Sequence, residues 1–141
     1  MELLVVLGVI GLIVGMSTPA LTRYAGQMRL KTVTRQVMGL VSLARSLSVG
    51  SQAGHAVVVD AGSRRITVVN SASGEALEQV VRLPSGISAE VQVGGAAAAE
   101  QQVAFRTSGA LTGRTASLVL SDGKKRSTIT VTGATGAITV Q

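Results

Sequence analysis

The stretch that decides the fold is ELLVVLGVIGLIVGMSTPAL, residues 2–21. Residues 3–16 carry no polar side chain, and counting on through Leu21 brings the run to the ~20 residues that a helix needs to cross a bilayer core. No basic residue precedes Arg23, which argues against a cleaved secretory signal. A core helix would need neighbours on every side. We therefore predict a membrane anchor at the N-terminus.

A second, amphipathic helical segment follows the apolar one. Proline bends a membrane helix without ending it, so we expect the helix to continue past Pro19. Between Arg23 and Val49, apolar residues recur at alternating steps of three and four positions and form a heptad seam. Its members are Leu30, Val33, Val37, Leu40, Ala44 and Leu47. Cations occupy the opposite surface. The whole helix is predicted to have about 49 residues and a length of about 70 Å, and to break at Ser48, Gly50, Ser51 and Gly54.

Beyond the helix the hydrophobic period changes to two, which is typical of strands. The predicted strands cover 55–60, 65–70, 78–83, 87–93, 102–107, 116–121, 127–132 and 137–141. Asp122-Gly123 predicts a hairpin turn, and the regular spacing indicates an antiparallel sheet or sandwich. These strands build a thin core of Val, Ile and Leu, so the heptad seam is expected to pack on them as the missing layer.

The predicted fold class is therefore α+β, with a long N-terminal helix packed on a small antiparallel β domain. Its organisation is predicted as a transmembrane half at 1–22, an amphipathic half at 23–50 and the β domain at 51–141.

Composition argues against an enzyme. The 141 residues include no Cys, one His and two aromatic residues, Tyr24 and Phe105. The absence of Cys excludes thiolate catalysis, and a single His excludes a multi-histidine metal site. Two aromatic residues nearly exclude an aromatic stacking platform. We predict no catalytic, cofactor-binding or metal-binding residues. The single histidine, His55, stands at the start of a predicted strand, where we expect a surface residue and not a ligand. Lys and Arg number 13 against 7 acids, giving a net charge of +6.

The N-terminal stretch resembles that of the type IV pilin superfamily, because Glu2 and Pro19 stand seventeen apart, as those pilins space their glutamate and proline. Two later stretches resemble the type II secretion minor pseudopilin H and FimT family (GspH/FimT). They are RLKTVTRQVMGLVSLARSLSVGSQ (29–52) and VAFRTSGALTG (103–113), the latter followed by SLVLSDGKKRSTITVTGATGAITV (117–140).

This resemblance implies a structural subunit of the type II secretion pseudopilus, which takes part in protein export across the outer membrane. Its implied partners are other pilins or pseudopilins, the inner membrane and the secretion assembly platform. The implied location is a single pass through the inner membrane with the C-terminal domain in the periplasm. From its position alone, Glu2 has two interpretations: a solvated acid in the first turn of the helix, or a functional carboxylate. The resemblance implies that Glu2 and Pro19 are filament-assembly residues. Glu2 is expected to pair with a neighbour's N-terminal amine, and Pro19 matches the family's proline, for which a kink without a function is the alternative.

Prepilins of this superfamily carry a basic leader and a few residues before the glutamate. Here Met1 directly precedes Glu2, so we expect the leader and the true N-terminus to lie outside these residues.

An alternative function is that of a FimT-like minor type IV pilin that binds DNA for uptake. Its candidate residues are Lys124, Lys125 and Arg126 on the predicted hairpin, since cations neutralise phosphates. The competing interpretation is a solvated turn whose charges protect a sheet edge. FimT-type binding is associated with arginines near the chain end, and this sequence has no basic residue after Arg126.

Overall fold

The computed structural model describes the backbone of residues 2–141 and the side chains of residues 2–16 and 28–141. In this part of the chain one long helix precedes a series of short strands. The elements are α1 (Glu2–Gly50), β1 (His55–Asp60), β2 (Arg65–Asn70), β3 (Ala76–Arg82), β4 (Ser88–Val93), β5 (Ala96–Ala97), β6 (Gln102–Phe105), β7 (Ala116–Ser121), β8 (Arg126–Val131) and β9 (Ile138–Val140).

The strands form two antiparallel sheets. One has the order β3-β2-β1-β6 and the other the order β5-β4-β7-β8-β9. The predicted α+β class with antiparallel pairing is confirmed, and each predicted strand has a counterpart. Strand β5 was not predicted because its sequence, within the GGAAAA run at 94–99, lacks β-branched residues. It pairs with β4 through Gln92 and Ala97.

The C-terminal half of α1 packs on both sheets and supplies the layer that covers them. Its buried side chains alternate at the three- and four-residue steps of a helix face that points into the core. Of the heptad seam, Leu30, Val33, Val37, Leu40 and Ala44 are buried and Leu47 is half-buried. Thr34 and Val41 are buried beside them, so the packed stripe is wider than the seam.

Ser48 joins the helix to the first strand instead of breaking the helix, which runs to Gly50. Its buried hydroxyl donates to the Ala44 carbonyl at 2.8 Å and accepts the His55 backbone N–H at 3.0 Å. His55, for which a surface position was expected, is buried because it opens β1, a central strand.

Arg45 fastens α1 to two loops of the β domain. Its Nε donates to the Gly109 carbonyl at 3.2 Å, and its Nη2 donates to the Thr135 carbonyl at 3.0 Å. Between these contacts the loop at 132–137 lies directly on the loop at 106–115. The Leu111 N–H donates to the Gly133 carbonyl at 3.0 Å, so the last hairpin is tied back to the middle of the chain.

Candidate functional site: the exposed half of the helix and its two flanks

The first half of α1 projects its apolar side chains into the surroundings. All residues from 2 to 16 are exposed, and the large apolar ones range from 52% exposed at Ile10 to 78% at Leu3. Isolated apolar side chains are common on protein surfaces, but a helix that is apolar and exposed all round requires a cover of lipid or of other apolar helices. This segment therefore forms the longest run of exposed large apolar side chains among the residues whose side chains are described.

Glu2 lies in the first turn of this exposed segment, where the positive end of the helix dipole stabilises a negative charge. Pro19, the other residue predicted for filament assembly, is one of residues 17–27, whose side chains lie outside the description. Among the described residues, no helical stretch is both long and apolar enough to span a membrane.

A basic groove runs between α1 and the last two strands. It encloses about 360 Å³ and is lined by Leu30, Lys31, Thr34, Arg35, Lys125, Arg126, Ser127, Val140 and Gln141. The structure thus brings two of the predicted hairpin cations next to two helix cations, whereas Lys124 lies in the turn outside the groove lining. The sequence showed Lys31 and Arg35 one helical turn apart, but only the packing of β8 against α1 places them beside the hairpin.

The hairpin turn is ordered by its own acid. The Asp122 carboxylate accepts the backbone N–H groups of Lys125 at 2.6 Å and Lys124 at 2.9 Å. These hydrogen bonds, the Lys125 bond foremost, lower the pKa of Asp122 below its usual value. The ionised carboxylate therefore holds the turn closed at neutral pH and keeps the cations at the tip of the hairpin.

A second groove, the β3 groove, lies between α1 and the edge strand β3. It encloses about 880 Å³ and is lined by Gln36, Gly39, Leu40, Leu43, Glu78, Gln79, Val80, Val81 and Arg82. Val80 is 40% exposed, and a Cβ added at Gly39 would meet open space. Sequence analysis did not single out this groove, because its two walls are about 40 residues apart along the chain.

Among the described side chains, no group of three His, Asp or Glu residues could hold a metal ion. The buried His55 ring places Nδ1 2.8 Å from the Ala53 carbonyl. It is therefore engaged in local structure.

These features define a class of protein in which the first half of a long helix is apolar and exposed and the second half packs on antiparallel sheets. The structure is similar to that of the minor pseudopilin EpsH from the type 2 secretion system of Vibrio cholerae, with a TM-score of 0.64 and 16% identity over 79% of this chain and 94% of that chain. It is also similar to the type IV minor pilin FimU of Pseudomonas aeruginosa, with a TM-score of 0.62 and 15% identity over 84% of this chain and 90% of that chain. Neither a protein-family model nor a curated protein matches the sequence. The chain has the pilin-like fold of these minor pseudopilins and minor pilins.

Proposed function

We propose that the chain is a minor pseudopilin, a non-enzymatic structural subunit of a type II secretion pseudopilus that takes part in protein export across the outer membrane. The observation that carries this proposal is the exposed apolar half of α1, which extends from a β domain with a buried core of its own. The fold shared with EpsH and FimU supports it.

Assembly into a filament accounts for the exposed apolar half of the helix. Fully burying one large apolar side chain is worth about 1.5–3 kcal/mol, so stacking the segments at residues 2–16 of many copies or relatives supplies a large driving force. Before assembly, lipid would cover the same surface. We accordingly place the chain in the inner membrane as a single-pass protein with its β domain in the periplasm, where it would meet other pseudopilins and the assembly platform.

Glu2 would set the register of that assembly. A carboxylate enclosed among apolar helices is costly unless a cation lies next to it. Only the axial position that brings a neighbour's N-terminal amine to Glu2 removes this cost. In this proposal Pro19 lies in the same buried bundle and adjusts the direction of the helix.

Replacing Glu2 by alanine tests this role. In cells that carry the secretion apparatus and lack their own copy of the subunit, we expect Glu2→Ala to lower incorporation into sheared filaments about 100-fold or more, because stranding one partner of a buried ion pair costs ~3–5 kcal/mol. Export should fall with it, while the amount of protein in the inner membrane stays at the wild-type level.

The matched control is Glu90→Ala, which removes an exposed carboxylate from β4 and should change neither measurement. Normal incorporation of the Glu2 variant would contradict the register role. Absence of the wild-type chain from filaments would contradict the proposed function itself.

The basic groove favours a second candidate function, that of a FimT-like minor pilin that binds DNA. Its four cations, Lys31, Arg35, Lys125 and Arg126, would neutralise phosphates. Gel-shift titration of the full chain in detergent with duplex DNA separates the two candidates. DNA capture requires salt-dependent retardation at micromolar protein that is lost in the Lys125→Gln, Arg126→Gln variant, whereas a pseudopilin is expected to give no retardation.

A further inference from the structure

The β domain has two ends, which lie at different heights along α1. The loops at 106–115 and 132–137 are held by Arg45, late in the helix. The β7–β8 hairpin lies beside residues 30–35 instead, because it forms one wall of the basic groove. The apolar half of the helix precedes this groove, so the hairpin marks the end of the β domain that faces the apolar half. This end is the proximal end.

Two other connections between strands lie at the proximal end, beside the hairpin turn at 122–125. They are the β1–β2 turn at 61–64 and the β3–β4 loop at 83–87. The Leu83 N–H donates to the Arg64 carbonyl at 2.9 Å, and the first residue of β4 is paired with the last residue of β7. The three connections therefore form one continuous surface, the proximal surface.

The proximal surface is strongly basic. Its connections, together with the strand residues that flank them, carry six exposed cations and two acids among the described side chains. The cations are Arg64, Arg65, Arg82, Lys124, Lys125 and Arg126. The acids, Asp60 and Asp122, accept backbone N–H groups of their own turns at distances from 2.6 to 3.1 Å. The carboxylates are thus engaged within the turns, whereas the cations project outward.

The opposite end of the β domain has no such excess of charge. Its loops and the cavity beside them carry Arg106 and Arg114, which are matched in number by Glu75 and Glu100 among the described side chains. The helix extends the asymmetry, because the exposed cations Arg29, Lys31 and Arg35 lie beside or ahead of the basic groove, and α1 has no acid after its first residue. Positive charge is therefore concentrated next to the apolar half.

The helix places this basic surface close to any bilayer that holds the apolar half. The apolar run ends at Leu21, and Leu30 is the first buried helix residue among the described side chains. The helix between them is about 14 Å long at 1.5 Å per residue. Membrane helices are tilted by about 20° on average, and a tilt toward the β domain lowers the proximal surface onto the lipid headgroups.

We propose that, before assembly, the proximal surface docks on anionic phospholipids of the bilayer that holds the helix. This inference rests on the membrane placement in the proposed function. Each Lys or Arg close to an anionic leaflet favours the docked state about fivefold. The arginines add bidentate hydrogen bonds to lipid phosphates. The unassembled subunit is thereby held inclined on the membrane surface, and its entry into a filament requires release of this contact.

The position of the cations favours lipid over DNA as their partner. Duplex DNA approaching the proximal surface would also approach the bilayer, whose negative surface potential repels it. A subunit that captures DNA is better served by cations at the opposite end, where Arg106 and Arg114 are offset by acids. Lipid phosphates, in contrast, are already in place beside the proximal surface.

Fluorescence quenching in vesicles tests the docking with the full-length chain, which has no Cys of its own. A fluorophore is attached to Ser85→Cys, at an exposed position of the β3–β4 loop, and the chain is inserted into phosphatidylcholine vesicles that contain a quencher on the lipid headgroup. We expect phosphatidylglycerol to raise the quenching at least about twofold. The increase should vanish in about 1 M salt, where charges are screened beyond about 3 Å. A label on the exposed Ser108→Cys, at the opposite end, should show no increase.

Charge removal identifies the cations that are responsible. The turn bonds of Asp122 use the backbone N–H groups of Lys124 and Lys125, so Lys124→Gln with Lys125→Gln leaves the turn intact. We expect this pair to lower the ratio of docked to undocked subunits, read from the Ser85 label, at least about tenfold. The control pair, Arg106→Gln with Arg114→Gln, removes the same charge from the opposite end and should leave the ratio unchanged.

The outcomes separate this inference from the function on which it rests. Quenching at Ser85 that does not respond to phosphatidylglycerol, or that falls equally in the two double variants, would overturn the docking and leave the pseudopilin role intact. Salt-dependent retardation of DNA in that case would assign the cations to nucleic acid. Wild-type protein that fails to float with the vesicles would overturn the membrane placement and the docking together.

Discussion

Replacing Gly136 by alanine is expected to lower the free energy of unfolding by at least about 3 kcal/mol, and by enough to deplete the folded protein in cells. A Cβ built at this position would lie 2.0 Å from the Gly109 carbonyl oxygen and 3.1 Å from the Arg45 Nε. The obstacle at Gly109 is backbone, so it cannot rotate away. The residue also has a φ of +64°, which non-glycine residues rarely adopt.

Gly94→Ala isolates the cost of the backbone angle. Gly94 has the same φ of +64°, but a Cβ there would meet nothing within 4 Å. We expect this control to cost about 1–2 kcal/mol. Urea unfolding of the full chain in detergent, followed by circular dichroism, measures both variants. Equal costs for the two would show that the loops at 106–115 and 132–137 do not pack as closely as the structure describes.

Replacing Phe105 by alanine should cost about 3–5 kcal/mol of stability, as is typical of a phenylalanine removed from a packed core. Phe105 is 1% exposed and is the largest of the described side chains that are fully buried. Among the described side chains, the rest of the core consists of smaller aliphatic groups from α1 and both sheets, and none of these supplies a ring that could fill the space. Small domains are stable by only about 5–15 kcal/mol, so this single change removes a large part of the total.

Phe105→Leu and Val80→Ala are the controls for the Phe105→Ala measurement. Leucine retains much of the volume and should cost less than alanine at the same position. Val80 is 40% exposed on β3, so its truncation should change stability by no more than about 0.5 kcal/mol. The same urea titration compares the three variants. A cost below about 1 kcal/mol for Phe105→Ala would contradict the central place of the ring.

The N-terminal helix could be predicted from sequence because its signals are local. Fourteen successive apolar residues and a heptad seam both report on a helix before any tertiary contact is considered. The strands could be predicted for the same reason, because short runs with alternating β-branched residues are separated by turn residues. The short strand β5 escaped because alanine and glycine carry little strand preference, and its pairing with β4 depends on tertiary context.

The predicted end of the helix near residue 50 is confirmed at Gly50, but the burial of Ser48 and His55 could not be predicted from local signals. Serine and glycine near residue 50 are typical of a helix end, and an isolated histidine is commonly at the surface. In the structure the Ser48 hydroxyl satisfies the His55 N–H inside the core. Such a bond depends on where the chain returns after the helix, and residue preferences do not record it.

The sequence by itself determined the apolar rod, the amphipathic continuation and the antiparallel strands, because hydrophobic period and turn residues act within a few positions of one another. Tertiary structure alone decided that the hairpin cations adjoin Lys31 and Arg35, that β3 and α1 enclose a groove on the other flank, and that Gly136 lies against Gly109. Each of these joins residues distant in sequence, and such pairs meet only when the helix and both sheets bury a common core.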